Sequence, residues 1–286
     1  MLCCSYFRSQ LALVIALIVA FVIVLSTNSD LIAQTRTGRV VTRKYEFKEA
    51  EKEMEYALYV PKSYDKEKKF PMIVALHGLG SSSRGIMRYP GLTSHAEKHG
   101  YIVVAPMGYN SRGWYGSRGK GGGRGDDPDN LGELSEKDVM NVLAIVRKDF
   151  SIDDNRVYLM GHSMGGAGTW HLATKYPDIW AALAPIAPAG PRDNSQLKKA
   201  KHIPVIVVQG DKDRLVHGTR RWVKKMEELK MEHVYIEVKG GDHVKVAFNH
   251  FPQIFDFFNK HKKQVAKTDV ENRDKRNRKS WEKPTQ

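Results

Sequence analysis

Five stretches of this 286-residue chain are apolar almost without a break, and they narrow the fold more than any other feature. They are FPMIVALHG (70–78), YIVVAPMG (101–108), RVYLMGHS (156–163), AALAPIAP (181–188) and IPVIVVQGD (203–211). A strand with one wet face alternates polar and apolar residues. These runs do not alternate, so both faces must be covered, as in a parallel sheet packed between helices. Helical patterns occupy residues 92–100, 135–149, 164–177, 219–231 and 246–261, and Ser135 and Asp138 stand at capping spacing for the start of the second. RVVTRKYEF (39–47) and MEYALYVP (54–61) read as an edge hairpin, and VYIEVKGGDH (234–243) as the last strand. The expected class is α/β: a mostly parallel central sheet with helices on both faces, an N-terminal antiparallel hairpin and no large lid domain. Functional groups in such sheets lie at the carboxyl ends of strands, and each candidate below follows an apolar run directly.

One of those ends reads RVYLMGHSMGGAGTW (156–170), where Gly161-His162-Ser163-Met164-Gly165 makes a G-x-S-x-G pattern between strand and helix. A serine exposed on so sharp a turn leaves no room for side chains two positions away, which is where Gly161 and Gly165 stand. Gly166 and Gly168 are expected to let the helix pack closely on the sheet. The helix N-terminus directs positive partial charge at a developing oxyanion. A serine hydroxyl alone is a weak nucleophile and needs a base and an orienting acid. These follow in the order serine, aspartate, histidine. The segment VIVVQGDKDRLV offers Asp211 and Asp213, and VKGGDHV offers His243, the only histidine directly behind a strand late in the chain.

The oxyanion site needs two backbone N–H groups. One belongs to Met164, after the serine, and the other to Leu79 in LHGLG, a loop shaped by His77 and Gly78. The rim of the site is expected in the glycine-rich stretch 108–130, with His77, Trp114 and Tyr115 as substrate-binding candidates. Trp114 and Tyr115 would form an aromatic wall, and Arg112, Arg118 and Arg124 would meet an acidic group. Trp170, Trp180 and Trp222 read as core. No cluster with metal-ligand spacing is seen, and no cofactor is called for.

Together these residues resemble the α/β-hydrolase superfamily. More narrowly, they resemble small secreted esterases and predicted peptidases grouped with prolyl oligopeptidase-type and polyhydroxybutyrate-depolymerase-like catalytic domains. The resemblance runs from Tyr56 to Phe258 and is carried by YALYVPKSYD, IVALHGLG, GWYG, EKDVMNVL, the serine segment, GDKDRLV and GGDH. It implies hydrolysis of a carboxylic ester through an acyl-enzyme on Ser163, or of a peptide bond in the same fold. It also favours Asp213 over Asp211, because Gly210, Asp213 and Val216 match its G-x-x-D-x-x-V pattern. The chain departs from that pattern at His217, where proline is usual. The alternative of another class is a non-catalytic surface-binding module on the same scaffold.

The two ends read differently from the body. Leu11–Leu25 is an unbroken apolar run, of signal-peptide length and short for a membrane span, so residues 1–33 are expected to be a signal peptide or N-terminal anchor. The body, 34–260, would then act outside the cytoplasm, secreted, periplasmic or membrane-anchored. It contains no cysteine, since Cys3 and Cys4 precede that run, so its core must stabilise it without disulfides. The formal net charge is +14, and residues 261–286 carry nine Lys/Arg against four Asp/Glu. That segment reads as a disordered tail able to contact an anionic surface. No nucleic-acid motif accompanies the charge. Expected partners are therefore small-molecule or polymeric ester substrates.

Overall fold

The apolar runs are strands, and they lie side by side. A computed structural model describes residues 36–263. The apolar run at 11–25 and the basic stretch from 264 onward lie outside the described residues. The strands are β1 (Val40–Phe47), β2 (Lys52–Tyr59), β3 (Phe70–Leu76), β4 (Ile102–Pro106), β5 (Ile152–His162), β6 (Ala182–Ile186), β7 (Val205–Gly210) and β8 (His233–Val238). They form one sheet in the order β1-β2-β4-β3-β5-β6-β7-β8. The β1–β2 and β2–β4 pairs are antiparallel, and every later pair is parallel.

Helices cover both faces: α1 (Ser83–Met87), α2 (Leu92–His99), α3 (Leu131–Asp149), α4 (Met164–Lys175), α5 (Val216–Glu228) and α6 (Phe251–Lys260). Strand residues alternate between two cores with period two. Met72, Val74 and Leu76 join one core with Val142, Trp170 and Trp222 of α3, α4 and α5. Ile73 and Ala75 join the other with Ile86, Leu92 and Phe255 of α1, α2 and α6. Trp170, Trp180 and Trp222 are buried, as their positions in the sequence imply. Strand β8 departs from the expectation that each candidate follows a buried run, because its residues are only partly covered. It is an edge strand with one neighbour.

Two local readings change. Helix α3 begins at Leu131, a turn before Ser135, so Ser135 and Asp138 are not its cap but fully buried groups inside it. Tertiary contacts claim them. Ser135 Oγ accepts the Tyr115 N–H at 2.9 Å. Asp138 accepts the Gly108 N–H at 2.6 Å and the Tyr45 hydroxyl at 2.5 Å, so both residues anchor the glycine-rich loop. Residues 261–263, read as the start of the tail, are also fastened to the body. The Lys263 N–H donates to the Asn155 carbonyl at 2.9 Å, and Tyr158 donates to the His261 carbonyl at 2.6 Å.

The chain crosses from β3 leftward to β4 and then rightward to β5. The carboxyl ends of β3 and β5 therefore meet at the point where the winding reverses, the usual crevice for a ligand in such sheets. The connection from β6 to β7 contains only a short 3-10 turn, Ser195–Ala200, with no inserted lid. No helix among the described residues is long and apolar enough to cross a membrane.

Candidate active site

Ser163 closes β5 with φ 56° and ψ −112°, a conformation that costs a non-glycine residue energy and is retained where surrounding contacts impose it. Those contacts are explicit. The Ser163 N–H donates to the Ile186 carbonyl, and the Ser163 carbonyl accepts from Ala167 and Ala189. A Cβ on Gly161 would stand 2.2 Å from the Gly165 carbonyl oxygen, and one on Gly165 would stand 2.1 Å from that of Leu76. The two glycines therefore answer to backbone on both sides of the turn. Gly168 has a different partner from the one expected, since a Cβ there would meet the Tyr115 ring at 2.7 Å rather than the sheet.

The structure brings the three residues singled out in the sequence together. His243 Nε2 lies 2.9 Å from Ser163 Oγ, and His243 Nδ1 lies 2.6 Å from Asp213 Oδ2. Asp213 is buried in the loop three residues past the end of β7. Burial pushes its carboxyl upward, but hydrogen bonds from His243, the Leu215 N–H and the Gln209 amide hold it below the ordinary carboxylate range. Asp211 is engaged elsewhere, accepting the Gly240 N–H at 2.7 Å.

Two supporting residues escape a reading by motif. Gln209 Nε2 donates to Asp213 Oδ2 at 2.9 Å, and Thr219 donates to Gln209 Oε1 at 2.7 Å, so a buried line runs Thr219–Gln209–Asp213–His243–Ser163. The signal for Gln209 is a single amide in an otherwise apolar strand. His162, inside the G-x-S-x-G pattern, is the second. Its Nε2 lies 2.8 Å from the His243 carbonyl, and its Nδ1 lies 2.8 Å from the Tyr89 hydroxyl. The neutral ring thus donates through Nε2 to the backbone of His243 and accepts from Tyr89 through Nδ1.

Burial pushes the His162 imidazole from its ordinary 6.5 down to about 4. Between those values the unfolded chain binds a proton that the folded one refuses, so this group lowers stability as pH falls through that window. Replacing His162 by glutamine is expected to remove that acid-side slope, worth up to about 3 kcal/mol between the two pH limits. Urea denaturation at several pH values measures it. An unchanged slope would contradict the assignment.

The oxyanion candidates lie in the loop after β3 and at the first position of α4. Gly78 touches the nucleophile, with a Cβ position 3.5 Å from Ser163 Cβ. Among the described residues neither the Leu79 nor the Met164 N–H donates to a protein group, so both are free for a ligand oxygen. The Leu79 side chain is 58% exposed, at the mouth of the site.

The proposed substrate contacts do not hold. His77 is fully buried, with its ring nitrogens 2.8 Å from the Gly78 and Met107 carbonyls, so it shapes the loop and lines nothing. Tyr115 is fully buried too, packed against His77 with its hydroxyl on the His77 carbonyl at 3.2 Å. Trp114 is half-buried and covered by Arg118, whose guanidinium lies 3.4 Å from the ring centroid. Arg112 is held by Asp127 at 2.7 Å. Packing against α3 and α4 turns Tyr115 inward, while Arg112 and Arg118 stay exposed.

A separate cleft of 390 Å³ lies around Glu136. That carboxylate accepts from His171, Lys175 and Tyr176, each at 2.6 Å, and ties α3 to α4 about two helical turns from Ser163. Among the described residues no three His, Cys, Asp or Glu side chains converge to hold a metal ion.

Comparison with known proteins identifies the family. Residues 48–258 match the family model Esterase, described as "Putative esterase". The chain belongs to this Esterase family. It is 30% identical over 146 residues to the S-formylglutathione hydrolase of Rattus norvegicus, covering 47% of this chain and 51% of that protein. It is 32% identical over 130 residues to feruloyl esterase B of Thermothelomyces thermophilus, covering 44% and 41%. The chain thus matches about half or less of the length of these curated esterases and hydrolases. A thermostable esterase of known structure superposes with a TM-score of 0.62 at 26% identity, covering 78% of this chain and 63% of that one.

Proposed function

We propose that this chain is a serine hydrolase of carboxylesterase type, with Ser163 as nucleophile, His243 as base and Asp213 as the acid that orients it. The observation that carries the reading is the hydrogen-bonded line Asp213–His243–Ser163, ending on a serine held in a strained turn. As Ser163 Oγ attacks the ester carbonyl carbon, His243 Nε2 takes the hydroxyl proton. The carbonyl electron pair moves onto oxygen, which the Leu79 and Met164 N–H groups stabilise. Asp213 remains ionised and offsets the charge on the imidazolium. When the intermediate collapses, the bond to the alcohol oxygen breaks and His243 returns the proton to it. Water, deprotonated by His243, then attacks the acyl-serine and releases the carboxylic acid. The chemistry needs no cofactor.

The relatives named as feruloyl esterase and S-formylglutathione hydrolase support a small-molecule or polymeric acyl substrate. The narrower grouping with prolyl oligopeptidase-type and polyhydroxybutyrate-depolymerase-like enzymes is supported by the quoted motifs alone. Export, as a secreted, periplasmic or anchored enzyme, is supported by the apolar run Leu11–Leu25. Contact with an anionic surface is supported by the charge of the final residues. In the purified protein a fluorophosphonate probe is expected to label Ser163, with parallel turnover of 4-nitrophenyl butyrate. Absence of label would return the chain to the non-catalytic alternative. Anilide turnover exceeding ester turnover would favour a peptidase.

A further inference from the structure

A second cleft, of 510 Å³, opens between the segment after β6 and the start of α5. Both walls are fastened to the triad. The Ala189 N–H donates to the Ser163 carbonyl at 2.9 Å, and the Leu215 N–H donates to the Asp213 carboxylate at 3.0 Å. The cleft therefore adjoins the two segments that carry Ser163 and Asp213.

The cleft is also built in advance. Gly190 presses on Trp222, where a Cβ would stand 3.0 Å from the indole nitrogen. That indole N–H donates to the Pro191 carbonyl at 3.0 Å, and the Asn194 amide donates to the Arg221 carbonyl at 3.1 Å. Trp222 in turn stacks on buried Trp170 with ring centroids 4.5 Å apart.

The charged groups around the cleft are of one sign. Arg192, Arg214 and Arg221 line it with His217, and no acidic residue does. Elsewhere on the molecule Arg112, Arg156 and Arg220 each hold a carboxylate. Among the described residues the three cleft arginines hold none. Even the neighbouring Asp193 carboxylate turns to the Ser195 N–H, at 2.8 Å. The Arg221 guanidinium donates to the His217 carbonyl at 3.4 Å, and among the described residues no carboxylate offsets the charge of the three. A carboxylate entering the cleft would supply that missing counter-charge and accept forked N–H bonds.

We propose that this cleft recognises a carboxylate on the substrate, so that the enzyme prefers esters that also carry a free acid. The proposal rests on the serine-hydrolase reading of the adjacent triad. The acid can sit on the acyl side or on the alcohol side, and the test separates the two. The high positive charge of the chain adds long-range attraction for such substrates.

Two matched pairs serve with the purified full chain. Mono-4-nitrophenyl adipate is compared with 4-nitrophenyl hexanoate for the acyl side, and 3-acetoxybenzoate with phenyl acetate for the alcohol side. In one pair kcat/KM is expected to favour the acid by about tenfold, falling towards parity as salt is raised. The pair that shows it names the side. The double variant Arg192→Gln/Arg221→Gln is expected to abolish the preference, and Arg192→Lys/Arg221→Lys to retain part of it. Equal turnover in both pairs overturns the proposal, and so does a preference that survives the glutamine variant. If neither neutral ester is hydrolysed, the serine-hydrolase reading itself has failed.

Discussion

Replacing Ser163 by alanine is expected to lower kcat/KM for an activated ester by at least about four orders of magnitude and to leave the fold in place. The side-chain hydroxyl makes one hydrogen bond, to His243 Nε2, so its removal strands no buried group. Alanine keeps the same Cβ at the same φ of 56°, and the backbone contacts that impose this turn are untouched. Residues that act as a unit do not lose activity additively. Ser163→Ala combined with His243→Ala is therefore expected to be no worse than either alone. Asp213→Asn should cost about a thousandfold or more, because the amide no longer holds the His243 ring in the tautomer that accepts the serine proton. Steady-state kinetics and a thermal melt measure both halves. Turnover by Ser163→Ala above a few hundredths of the wild-type value would dismiss the triad.

The largest loss of stability is expected from Gly165→Ala. The added methyl would sit 2.1 Å from the Leu76 carbonyl oxygen, 2.6 Å from its carbon and 2.9 Å from the His77 oxygen. All three are main-chain atoms at the end of β3, so no side chain can swing aside. Either the first turn of α4 lifts or β3 moves, and the cost should exceed about 3 kcal/mol. Moving β3 also displaces the loop that carries the Leu79 N–H, so activity should fall further than stability alone predicts. Gly218→Ala in α5 is the control. A Cβ there meets only Arg221 Nη2 at 3.8 Å, and loss of glycine's backbone freedom should stabilise the helix by about 0.5 kcal/mol. Urea denaturation of the two variants compares them, and similar midpoints would reject the steric account.

Much of the candidate site was legible because it lies close in sequence to features with a strong local signature. Ser163 sits between two glycines behind an apolar run, and Asp213 and His243 each lie in the short loop that follows a strand. Short-range sterics decide such turns, so a few residues carry the information. The misreadings share an opposite cause. Ser135 and Asp138 have capping spacing, but their polar atoms are claimed by Tyr115 and Gly108, at least twenty positions away. His77 and Tyr115 look like lining residues, yet each is buried against the other. Which way a loop side chain faces depends on what packs over it, and no local pattern encodes that.

What the sequence determined alone was the class of sheet, the order of most of its strands and helices, and the candidates for nucleophile, acid and base. The reason is that apolar periodicity and glycine sterics act within a few residues. Only the tertiary structure decided which groups hold those three in place: Gln209 with Thr219, and His162 with Tyr89. It likewise gathered Arg192, Arg214 and Arg221, from two separate segments, around one cleft. Such groupings form because the parallel sheet sets the carboxyl ends of β5, β6 and β7 side by side, and that neighbourhood exists only once the sheet is assembled.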